Sequence, residues 1–78
     1  MARTPNDFIS AYEAALAASV KANPEKYLWT ADRVPEMAAK MIRNLRDGTA
    51  DLSPTVKAIA KEFGIKPTRR DIRAFLNS

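Results

Sequence analysis

The chain has 78 residues, 46% of them apolar, with 13 Lys or Arg against 9 Asp or Glu and a net charge of +4. That length suits one small domain, here residues 1–78, and no second one. Cysteine and histidine are both absent, which excludes disulfides, thiolate or imidazole metal sites and the commonest general base.

Helix one is expected to open at Thr4-Pro5-Asn6-Asp7. Thr4 can cap it, Pro5 suits the first helical position, and Asp7 stands where a capping box needs an acid. Phe8, Ile9, Tyr12, Leu16 and Val20 recur at three- and four-residue steps, which is one helical stripe. Asn23-Pro24 ends it, because proline pushes its predecessor out of the α region. Residues 24–30, PEKYLWT, read as a short helical turn or a structured corner. Leu28 and Trp29 are expected to plug the core there, the alternative being a partner-binding patch.

Helix two is expected from about Arg33 to Asp47, with Val34, Met37, Ala38, Met41, Ile42 and Leu45 on its inner face. Thr30 or Asp32 can cap it, and Pro35 fits its first turn. Arg43 and Arg46 suit the negative end of its dipole, and Gly48 suits the left-handed residue that stops it. After the loop 48–52, Ser53-Pro54 opens helix three, whose inner face is Val56, Ile59, Ala60 and Phe63. Gly64 ends it, with Ile65 folding back. Thr68-Arg69-Arg70-Asp71 has capping-box spacing and opens helix four, with Ile72, Phe75 and Leu76 inward. The fold class is therefore all-α, a small four-helix domain.

Charge is unevenly spread. Residues 1–39 carry four basic and five acidic side chains, whereas residues 40–78 carry nine basic and four acidic. A polyanionic ligand would meet the second half. No apolar run approaches the roughly 20 residues of a membrane span, and the N-terminus lacks an apolar signal-peptide core. A cytoplasmic protein without membrane, cofactor or small-molecule substrate is expected. The carboxylates Glu13, Glu25, Glu36 and Glu62 are scattered, so the chain is expected not to be an enzyme.

The stretch LSPTVKAIAKEFGIKPTRRDIRAFL, residues 52–76, resembles the helix-turn-helix of small phage and prokaryotic DNA-binding proteins. The resemblance rests on Ile59-Ala60, then Phe63-Gly64-Ile65, then Thr68 opening a helix with Ile72, Phe75 and Leu76 inward. It implies a helix-turn-helix over about 53–77. In the common motif the first buried residue of the recognition helix lies about six positions after the glycine. Here that position is Arg70, and the apolar residue is Ile72, so the turn is longer by about two residues.

The resemblance implies double-stranded DNA as partner. Arg69, Arg70 and Arg73 would face the major groove, Thr68 and the helix N-terminus would accept a phosphate, and Lys57, Lys61 and Lys66 would line the flanking backbone. The protein would be a regulator or a general duplex-coating protein. A homodimer or array would form through the N-terminal helix, with Phe8 and Tyr12 on that surface. The competing reading is a helical adaptor or inhibitor that docks its basic C-terminal face on an acidic protein, with Tyr27 and Trp29 as anchors.

Overall fold

A computed structural model describes residues 3–78. It is all-α. Four α-helices, α1 (Pro5–Ala22), α2 (Val34–Asp47), α3 (Pro54–Glu62) and α4 (Arg69–Leu76), surround one core. Two short 3-10 turns, Pro24–Lys26 and Ala31–Arg33, build the connection from α1 to α2.

Local chemistry sets most of the helix ends. Thr4 and Asp7 form a reciprocal capping box: the Asp7 N–H donates to Thr4 Oγ1 at 3.3 Å, and the Thr4 N–H donates to Asp7 Oδ2 at 2.8 Å. Ser53 Oγ accepts from the Val56 N–H at 3.2 Å and starts α3 ahead of Pro54. Gly48 and Gly64 take φ of 77° and 72°, the left-handed region that only glycine enters without strain. At both, the chain folds back in a Schellman arrangement. The Thr49 N–H donates to Asn44 O at 3.0 Å, and the Ile65 N–H to Ala60 O at 2.8 Å.

Two expected caps differ. Neither Thr30 nor Asp32 caps α2; the Thr30 hydroxyl donates to the Asp32 carboxylate, and the turn Ala31–Arg33 leads the chain into Val34 instead. At α4 only half of the box forms. Thr68 Oγ1 accepts from the Asp71 N–H at 3.2 Å, but the Thr68 N–H donates to Lys66 O at 2.8 Å rather than to Asp71.

The core contains Phe8, Tyr12, Ala38, Ile42, Leu45, Val56, Ile59, Ala60, Ile72 and Leu76, all buried. Phe63 and Phe75 are half-buried and pack on Phe8. Their ring centroids lie 5.4 and 6.1 Å from that of Phe8 and 6.0 Å from each other, mostly edge to face. This cluster ties α1, the end of α3 and α4 together. Phe8 and Tyr12 are thus consumed by the core of their own chain. Their burial takes both rings out of the outer surface of helix one.

The corner between α1 and α2 also departs from expectation. Leu28 is not a core plug: it is fully exposed, at 101% of its reference area. Trp29 and Tyr27 are half-buried, with centroids 5.2 Å apart and planes inclined by 60°, and pack on each other rather than entering the core. The cause is the backbone. Both 3-10 turns pack back on α1, and no residue between Asn23 and Ala31 takes a left-handed φ that would fold Leu28 inward as Gly64 folds Ile65.

Candidate nucleic-acid interface

The candidate basic surface lies on α3, the connector after it and the start of α4. α3 presents Lys57 and Lys61 on its outer face, opposite the buried Val56, Ile59 and Ala60. Both lysines are exposed, as is Lys66 in the connector that follows Gly64. None of the three has an ion-pair partner among the described residues. They are free to neutralise an external anion without first breaking an internal pair.

The four residues expected on α4 behave differently from one another. The Arg70 side chain is 89% exposed, with its Nε only 3.8 Å from Asp71 Oδ1. Arg69 is exposed but pairs with Asp51 in the loop before α3. The Thr68 hydroxyl is occupied at both ends: it accepts from the Asp71 N–H and donates to Asp71 Oδ2 at 2.9 Å. The Asp71 carboxylate therefore already sits at the positive end of α4, where a phosphate was expected.

Arg73 is exposed yet turned onto α2. Its Nε donates to Arg46 O at 3.2 Å, and its Cδ lies 3.4 Å from where a Cβ on Gly48 would stand. It meets the carbonyl end of α2, which suits a cation. Arg46 crosses in the opposite sense. Instead of serving its own helix end, it donates from Nε to Leu76 O at 3.2 Å, the last residue of α4. Asn77 Nδ2 completes the lacing, donating to Arg46 O at 3.1 Å.

One basic residue of this region was not picked out by the sequence. The Arg3 guanidinium lies 4.4 Å from the centroid of the Phe63 ring, and its Nη1 donates to Glu62 O at 3.3 Å. The N-terminal end of the chain therefore adds a cation beside the end of α3. No local pattern could have revealed it, because the contact spans 59 positions.

The helices do not pack as two mutually supporting neighbours. α4 lies chiefly against α2, and α3 chiefly against α1. The Phe63–Phe75 contact bridges the last two helices. Among the described residues no group of three or more Asp or Glu converges on a point where a metal could sit. Among the described residues no helix is long and apolar enough to cross a membrane. No protein-family model, curated protein or solved structure matches the chain.

Proposed function

We propose that this protein binds double-stranded DNA through the basic surface of α3, the connector 63–68 and the first turn of α4. The observation that carries the reading is the set of exposed cations in this region: Lys57, Lys61, Lys66 and Arg70, with the first three unpaired among the described residues. Affinity for duplex DNA comes mainly from lysine and arginine neutralising phosphates and releasing counterions. Arg70, long and nearly free, is the residue suited to reach a guanine edge. Arg69 can join after leaving Asp51, an exchange of one exposed pair for another. Arg73 and Thr68 contribute by holding α4 in place rather than by touching DNA.

The helix-turn-helix belongs to this proposal. Gly64 and the buried Ile72 support it through the turn and the anchored face of α4. In this reading the protein acts as a regulator or as a general coat on duplex DNA, mainly electrostatic in its grip.

The test is a fluorescence-anisotropy titration of two unrelated duplexes and one single strand at about 50 and about 200 mM salt. The expected outcome is duplex binding that weakens steeply with salt. Replacing Lys57 and Lys61 with Glu lowers affinity for every duplex and reduces the salt slope by about 0.9 for each phosphate left without its lysine. Replacing Arg70 with Ala narrows the difference between two duplexes if a base is read. No duplex binding at low salt overturns the reading and turns the same cations toward an acidic protein.

A further inference from the structure

A hollow of about 400 Å³ lies where α1, the turn Pro24–Lys26, α2 and the start of α3 come together. That volume accommodates a small organic molecule. Tyr12 lines the hollow although the residue is only 6% exposed. Its hydroxyl makes no hydrogen bond among the described residues. No side-chain oxygen or nitrogen among those residues is both sealed from solvent and unpaired. The Tyr12 hydroxyl therefore reaches open space, and the space that Tyr12 lines is this hollow. Burial raises its phenol above the ordinary value, and the neighbouring Tyr27, which also lines the hollow, adds to the rise. At neutral pH the Tyr12 hydroxyl is a donor without an acceptor.

A second donor comes from the first turn of α3. Pro54 has no N–H, and the Val56 N–H is taken by Ser53 Oγ. The Thr55 N–H has no acceptor among the described residues, and Ser53, Pro54 and Thr55 all line the hollow. The positive end of α3 thus meets the same space as the Tyr12 hydroxyl. Charge narrows the ligand further. Lys26 lines the hollow and forms no ion pair, and no Asp or Glu stands beside it there, among the described residues. One cation with no acid suits a single negative charge better than the double charge of a phosphate. Leu16 and Met41, both half-buried, add an apolar wall for a hydrocarbon body.

We propose that this hollow binds a small aliphatic carboxylate, whose oxygens accept from the Tyr12 hydroxyl, the Thr55 N–H and the Lys26 ammonium while its hydrocarbon chain lies against Leu16 and Met41. Hydrogen bonds to an ionised acceptor are the strong ones, and here the donors are set in place by the fold before the ligand arrives. The proposal does not rest on the DNA reading. Lys57 and Lys61 do not line the hollow, and the binding is measured without nucleic acid.

The experiment is an amide-correlation NMR titration of the full chain at neutral pH with hexanoate, with 1-hexanol as its uncharged counterpart and with inorganic phosphate. The expected result is that hexanoate moves the Thr55 and Tyr27 amide signals along a saturating curve with Kd of roughly 1–10 mM. Hexanol and phosphate do not saturate in that range. Tyr12→Phe, which removes only the hydroxyl, weakens hexanoate binding by about tenfold. Lys26→Gln, at an exposed position where the fold is not in question, weakens it by roughly threefold. Absence of saturation with hexanoate overturns the proposal. So does hexanol binding as tightly as hexanoate, which would leave an apolar hollow with no anion site, or phosphate saturating the same signals more tightly. Either variant binding hexanoate as the wild type does also overturns it.

Discussion

Two connectors in this molecule have similar ingredients and opposite outcomes. The one between α1 and α2 holds Tyr27, Leu28 and Trp29; the one between α3 and α4 holds Phe63 and Ile65. Both contain a proline. In the second, Gly64 takes a left-handed φ and the Ile65 N–H returns to Ala60 O, so the apolar groups fold back onto the core. In the first no residue takes positive φ, the chain proceeds through two 3-10 turns, and Leu28 ends outside. Apolar content gives a connector something to bury; the backbone decides whether it is buried in this chain or offered to another surface.

The largest expected effect that tests this contrast is Phe63→Ala. It removes the ring between Phe8, Phe75 and the Arg3 guanidinium and should cost about 3 kcal/mol in urea unfolding. Gly64→Ala isolates the backbone contribution. A Cβ there meets nothing within 4 Å, so the cost comes from φ alone, about 1 kcal/mol. A neutral result would mean that the ring cluster, and not the left-handed turn, holds this connector down.

Tyr12 gives a smaller, pH-dependent effect. Burial raises its phenol above the ordinary value of 10.0, and the neighbouring Tyr27 adds to the shift. Its folded-state pKa is raised, so its stabilising contribution is fully present below the unfolded value. That contribution is lost as pH rises through the folded one. Urea midpoints at about pH 8 and about pH 10.5 should fall further for the wild type than for Tyr12→Phe. At the bottom of the scale stands Leu28→Ala. It should change stability by no more than about 0.5 kcal/mol, because the side chain is fully exposed. A loss as large as that of Phe63→Ala would mean that Leu28 belongs to the core after all.

These contrasts also mark what a reader of the sequence can see. All four helices were legible, because stripes such as Val56-Ile59-Ala60 and stops such as Gly48 and Gly64 are local signals. Three features were not. The exposure of Leu28 depends on how the corner packs against α1, which is not a local pattern. The exchange between Arg46, Arg73 and the carbonyls of Leu76 and Arg46 joins positions 27 to 30 apart. Its acceptors are backbone atoms, which every residue has. The candidate site was legible as a set of cations but not as a division of labour. That Arg70 is nearly free, Arg69 paired and Arg73 turned onto α2 follows from which neighbours the fold supplies.

The lacing between α2 and α4 has a mechanical consequence. Arg46, Arg73 and Asn77 hold α4 at its C-terminal end. At the other end the helix depends on the Thr68 cap and on the exposed pair between Arg69 and Asp51. A helix clamped at one end opens from the other. Amide exchange should therefore be faster at the start of α4 than near Leu76, with the protected amides of Phe75 and Leu76 opening only when the core does. The end expected to exchange first is the one that carries Arg70. The last helix is built like a cantilever, able to adjust its tip to the surface it meets while its root stays fixed in the domain.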